Sequence, residues 1–152
     1  MTTPDLITAD LVDLGLAATD SHGAVRALAE RLVSAGRVTD LDLFLEDVAA
    51  REAQMATGLE GGIGIPHCRS TAVTAPTLGF GRSDAGIDFG APDGPAKLIF
   101  LIAAPEGGGS DHLKVLAALA RRLVRAEFKQ HLLDATDAAA VAGYIRQEVS
   151  PS

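Results

Sequence analysis

The chain has one cysteine, few aromatic residues and more acid than base, and each shortage excludes something. A single cysteine rules out an internal disulfide, so the fold must be held by packing. Aromatic residues are 4% of a chain that is 47% hydrophobic, so the core must be built from Ala, Leu, Val and Ile, a composition that suits helices packed on a sheet. The formal charge of −7 argues against a non-specific nucleic-acid binder, which needs a basic footprint to displace counterions, and favours partners with a basic docking face. The longest apolar run, Leu98 to Ala104, is far too short to cross a bilayer. Met1-Thr2-Thr3-Pro4-Asp5 has no basic region followed by an apolar stretch, so no signal peptide and a soluble cytoplasmic protein are expected. Without a Gly-Lys-Ser/Thr element, Gly107-Gly108-Gly109-Ser110 is not a nucleotide-binding P-loop. A dinucleotide pattern begun at Gly62 fails at its sixth position, which is His67.

What is present reads as one domain of 152 residues, with a core from about residue 6 to 149 and about two thirds of the unfolded chain's surface buried. Leu11 to Leu14 reads as a short strand. Ser21 or Asp20 caps a helix carrying Val25, Leu28, Ala29 and Leu32 until Gly36 stops it, and Asp40 caps a second helix to about Gln54. From Gly62 the period becomes strand-like: Ile63 to Ile65, Ala72 to Arg82, a piece around Ile87 to Phe89, and Lys97 to Ala104, with turns at Ser83-Asp84 and Pro92 to Pro95. Leu98 to Ile102 is continuously apolar, as in a central strand covered on both faces. After a loop from Pro105 to Asp111, a helix carries Leu113, Leu116, Ala117, Ala120, Leu123 and Val124; Glu127 to Leu133 and Asp137 to Val149 are two more. The expected fold is a single-domain α/β protein with a mixed β-sheet flanked by helices on both faces.

The most pointed stretch is Thr57 to Arg69, where a glycine-rich segment runs through Pro66 into His67. Glycine admits positive φ and close backbone approach, and Pro66 fixes its own φ and holds Ile65 extended, so the segment can present an imidazole on a stiff mount. The plain alternative is a glycine turn entering a buried strand, with His67 a satisfied polar residue at its edge. Arg51 falls on the apolar stripe Phe44, Val48, Arg51, Met55, where a guanidinium needs an anionic or carbonyl partner, unless it reaches solvent or caps the helix end. His112 lies in the first turn of its helix, where free N–H groups favour an anion. A zinc site at His67 and Cys68 is disfavoured because neighbours on an extended chain point to opposite sides. Cys68 beside Arg69 is either an activated thiol or a small buried filler. His22 and His131 read as surface residues.

Gly62-Ile63-Gly64-Ile65-Pro66-His67-Cys68-Arg69-Ser70 resembles the active-site signature of the fructose/mannitol-type IIA proteins of the phosphoenolpyruvate:sugar phosphotransferase system. Arg51-Glu52 with Thr57-Gly58, the strand Ile99 to Pro105 and Asp111 to Leu116 are similar to other segments of that family, in the same order. The resemblance implies that His67 is the phosphorylated histidine, charged by the phosphohistidine of HPr and discharged to a cysteine of a IIB domain. It implies that His112 is the second active-site histidine and that Arg51 lies near the phosphoryl group. Such chemistry uses an unprotonated ring nitrogen and needs no cofactor or metal; the other nitrogen should donate to a carbonyl or similar acceptor that fixes the tautomer. No direct membrane insertion follows, only peripheral association through IIB and IIC partners. Six residues before His67, where many relatives carry asparagine or glutamate, stands Gly61, with Glu60 one place earlier; Gly61 offers at most a backbone N–H. Pro66 to Ser70, Arg82 and Asp88-Phe89-Gly90 look most like fructose-type members. A regulatory homologue of the nitrogen-related branch, and a non-catalytic α/β anion-binding module, are the alternatives.

Overall fold

A computed structural model describes residues 5–54, 57–59, 61–107 and 111–149, and the backbone alone at 111–113. A short 3-10 turn, Ala9–Leu11, leads into β1 (Val12–Asp13), followed by α1 (Ser21–Ser34) and α2 (Leu41–Gln54). Then come β2 (Gly58–Leu59), β3 (Ile63–Gly64), β4 (His67–Ser70), β5 (Thr77–Ile87) and β6 (Ala96–Pro105), and last α3 (Asp111–Leu123), α4 (Ala126–Asp134) and α5 (Ala138–Val149). The helix starts follow local chemistry. The Asp20 carboxylate accepts the Gly23 N–H at 2.7 Å and the Asp40 carboxylate the Leu43 N–H at 3.1 Å, which satisfies donors that a helix N-terminus leaves free.

The six strands form one mixed sheet in the order β1-β5-β6-β3-β2, with β4 also paired to β6. β6 is its centre: β5 runs antiparallel on one side, and β3 and then β4 run parallel on the other. Every β6 position from Leu98 to Ala104 is buried, as the unbroken apolar run requires. Helices cover both faces. Leu28 and Leu32 of α1 close over Gly79 and Gly81, while Phe80 and Phe100 pair at 5.1 Å on the opposite face of β5 and β6. α3 and α4 pack on β6, and α2 packs on β4 and on α1. Among the described residues no helix is long and apolar enough to cross a membrane.

Three local expectations change. The Ser83-Asp84 turn is a β-bulge inside β5: the register with β6 slips between Arg82 and Ile87, and the Ser83 hydroxyl accepts the Gly86 N–H at 3.1 Å, so the strand absorbs the turn residues instead of ending. The segment expected as one strand from Ala72 to Arg82 begins only at Thr77, because Thr71 to Pro76 is occupied by the turn that follows β4. Among the described side chains of α3, Val115, Ala118, Leu119 and Leu123 are buried and Leu116 is half-buried against the core; Ala117 and Ala120 are exposed, Val124 lies beyond the helix end, and the Leu113 side chain lies outside the described residues. Leu116 and Leu123 thus face inward as expected while Ala117 and Ala120 do not, because alanines are too small to mark which stripe of a helix is inward. Met55 and Glu60 lie outside the described residues.

Candidate active site

The edge of the sheet beside β6 is broken at one point. β3 ends at Gly64 and β4 resumes at His67, because Pro66 has no N–H to give to a ladder; its carbonyl instead accepts the Ile102 N–H at 3.0 Å. Upstream, Gly61 and Gly62 adopt φ of +93° and +80°, which only glycine takes without strain, and turn β2 back on β3. Gly64 leaves room for the Phe89 ring, which an added Cβ would meet at 2.8 Å. The mount expected for His67 is therefore present, and it is packed.

His67 opens β4, half-buried, with its Nδ1 at 2.8 Å from the Ile65 carbonyl oxygen. A carbonyl only accepts, so Nδ1 carries the proton in the neutral ring and Nε2 keeps its lone pair. Ile65 is the acceptor that the chemistry called for. Along β4 the side chains alternate: His67 half-buried, Cys68 buried, Arg69 exposed, Ser70 buried. Burial pushes the Cys68 thiol up to about 12, with the Asp47 charge adding to it, so Cys68 is the inert filler of the two readings.

An open depression of about 380 Å³ lies in front of the ring, lined by Asp47, Ala50, Arg51 and Gln54 of α2, by His67 to Arg69 of β4, and by Leu116 of α3. Arg51 is half-buried, donates from Nη1 to the Gln54 side-chain oxygen at 3.2 Å, and has no ion pair among the described residues. It thus faces the same space as His67 with a neutral partner, so neither wholly buried nor spent on helix-end carbonyls. Asp47 is held by the Ser70 hydroxyl, which donates to it at 2.6 Å. Arg69 donates from Nη2 to the Glu106 carbonyl at 3.0 Å. A larger depression of about 670 Å³ lies on the other side of α2, between it and α1; its walls combine apolar Val25, Leu45, Val48 and Phe89 with polar Asp20, His22, Arg26 and Glu52, and His67 is not among them.

Of the three expected site residues the structure brings His67 and Arg51 to one pocket. His112 occupies the second position of α3, and its side chain lies outside the described residues. Asp47 and Arg69 were missed as pocket residues, although simple spacing places them there: Arg69 shares a strand face with His67, and Asp47 a helix face with Arg51. Gly61 gives its N–H to the Asp93 carboxylate at 2.9 Å, so it is not offered to the site. Arg82, part of the fructose-type likeness, serves the fold: its Nη1 donates to the carbonyls of Leu132, Leu133 and Ala135 at 3.0, 3.2 and 2.6 Å, at the C-terminal end of α4. His22 is exposed at the start of α1, and exposed His131 stacks on Tyr144 with centroids 3.8 Å apart; both are surface residues as expected.

A mixed sheet that presents one tautomer-fixed imidazole beside a guanidinium in a solvent-open depression has the form of a protein carrier rather than of an enclosed small-molecule enzyme. The chain belongs to the family described as phosphoenolpyruvate-dependent sugar phosphotransferase system, EIIA 2, whose model matches residues 5–148; it is a phosphohistidine-carrier component of that system. It is similar to the PTS system fructose-specific EIIA component of Haloferax volcanii, 44% identical over 127 residues that make up 83% of this chain and 82% of that protein. The fructose-specific EIIABC component of Bacillus subtilis is 35% identical over 144 residues, 94% of this chain, which spans only 23% of that longer protein. Among solved structures, the nitrogen regulatory protein IIA-Ntr of Neisseria meningitidis superposes with a TM-score of 0.84 at 27% identity, covering 92% of this chain and 96% of that one.

Proposed function

We propose that His67 is the phosphoryl acceptor of this carrier, through Nε2. The observation that supports it most directly is the 2.8 Å contact of Nδ1 with the Ile65 carbonyl, which leaves Nε2 as the nucleophile on a ring open to a partner. In the proposed step the Nε2 lone pair attacks the phosphorus of phospho-HPr as the donor's P–N bond breaks. In the next, a cysteine thiolate of a IIB domain takes the phosphoryl group and His67 regains its lone pair. Arg51 and His112 are assigned to the phosphoryl oxygens, whose charge must be met by positioned donors, since this transfer is mainly positioning and electrostatics. No metal or cofactor takes part. The whole described chain, about residues 6–149, acts as a single domain in the cytoplasm and reaches the membrane only through IIB and IIC partners.

The likeness to fructose-specific relatives favours a fructose-type uptake system as the outlet. The structural likeness to a nitrogen regulatory protein supports a second reading, in which the same phosphohistidine serves as a signal. Incubation with phosphoenolpyruvate, enzyme I and HPr should give an acid-labile, base-stable label on the wild type and none on His67→Ala. An unlabelled wild type, or label persisting in His67→Ala, would remove His67 from this role. Onward transfer to a fructose IIB domain separates uptake from signalling.

A further inference from the structure

Glu52 follows the pocket arginine in sequence, yet it faces away from the pocket and lines the larger depression between α1 and α2. Its carboxylate accepts both polar hydrogens of buried Thr57, the N–H at 2.9 Å and the hydroxyl at 2.7 Å. The Thr57 carbonyl accepts the Ile65 N–H at 3.1 Å, and the Ile65 carbonyl accepts from His67 Nδ1 at 2.8 Å. These contacts form a continuous path from the end of α2 to the imidazole. We infer that Glu52, acting through Thr57, is a positioning residue that sets the tautomer and aim of the His67 ring; the inference rests on His67 being the phosphoryl acceptor.

The path matters because the Ile65 carbonyl belongs to an amide with proline, which has no N–H to anchor it. Among the described residues two hydrogen bonds flank that amide, beside the packing of buried Ile65 and Pro66: the Ile65 N–H to Thr57, and the Ile102 N–H to the Pro66 carbonyl. The second hold is part of the central sheet. The first ends on a carboxylate that takes two donors at once, and hydrogen bonds to an ionised acceptor are roughly twice as strong as neutral ones. If Glu52 no longer grips Thr57, the Ile65 carbonyl loses one of the restraints on its direction, Nδ1 has a less fixed acceptor, and the proton gains access to Nε2, the atom that must stay bare. The effect is geometric and does not require the Glu52 charge to reach the ring.

Ring-nitrogen NMR on the unphosphorylated full chain reads the tautomer directly, with no phosphoryl group present. Wild type should show His67 protonated at Nδ1. Glu52→Gln, which keeps the shape but weakens the grip on both donors, should show mixed tautomers and about a tenfold slower transfer from phospho-HPr with unchanged KM, the scale typical when a group behind a working ligand is lost. Thr57→Val should move both readouts the same way by less, and Thr57→Ser, which restores both donors, should return them to wild type. If Glu52→Gln does not fold, the Thr57→Val and Thr57→Ser pair decides. Folded variants with a wild-type tautomer and rate would overturn the inference. A failure of the acceptor reading shows elsewhere, as absent labelling of the wild type or persistent labelling of His67→Ala.

Discussion

His67 and Cys68 are adjacent in β4 and border the same depression, but the imidazole is half-buried and open to it while the thiol is buried on the inward face. The same division runs through the rest of the strand, with Arg69 outward and Ser70 inward. A four-residue strand thus carries the site on one face and core packing on the other. The lesson is that residue type alone does not mark reactivity here; the two-residue period, and the side on which α2 lies, decide which of two nucleophiles is usable.

The sharpest way to break this contrast is alkylation of Cys68. Its thiol is raised from an ordinary value of 9.0 to about 12, first by burial and then by Asp47, so at a given pH below both values the thiolate fraction falls about a thousandfold. Iodoacetamide should label the native protein that much more slowly than the urea-unfolded chain, with no fast phase near pH 8. Native labelling within tenfold of the unfolded rate would mean that the inward face of β4 is open, and the contrast with His67 would fail.

The next test compares two arginines. Arg82 engages its Nη1 at the C-terminal carbonyls of α4 and leaves its buried Nε without a partner, whereas Arg51 bonds, among the described residues, to Gln54 and faces the site. Arg51→Met keeps the aliphatic stem, so it should change stability by less than about 0.5 kcal/mol while slowing transfer by about 10–100-fold, as expected for loss of a donor to developing charge. Arg82→Met should do the opposite: about 1 kcal/mol lost in denaturant melts through uncapped, partly buried carbonyls, and a transfer rate within twofold of wild type. Equal effects of the two substitutions on transfer would erase the distinction between a site guanidinium and a capping one.

How much of this was readable beforehand varies with the kind of signal. The caps at Asp20 and Asp40, the apolar central strand and the stiff mount ahead of His67 depend on local chemistry, and each stands where its residues put it. The β5 bulge was not readable, because Ser83-Asp84 has turn-forming chemistry and only the pairing with β6 decides that the strand continues. The Ile65 acceptor is a backbone atom, so no side chain announces it. Glu52 and Thr57 were visible as a family-like pair, but their joint grip depends on how α2 returns to the sheet, which is tertiary.

The smallest effect concerns Ser70, on the inward face. Asp47 and Arg51 stand four residues apart on α2, acid before base, the spacing at which a helix normally forms an ion pair, yet they do not pair; the Ser70 hydroxyl holds the Asp47 carboxylate at 2.6 Å. The same hydroxyl accepts the Ala72 N–H at 3.1 Å. Ser70→Ala should therefore cost about 1–2 kcal/mol by stranding a buried N–H. It should also release Asp47 toward Arg51, where a pair worth about 0.5 kcal/mol would compete with the phosphoryl group and slow transfer about twofold. Adding Asp47→Asn should restore the rate but not the stability, because the amide cannot compete for the guanidinium as a charge does. A twofold loss that persists in the double variant would show that Ser70 acts on the site by some route other than holding Asp47 away from Arg51.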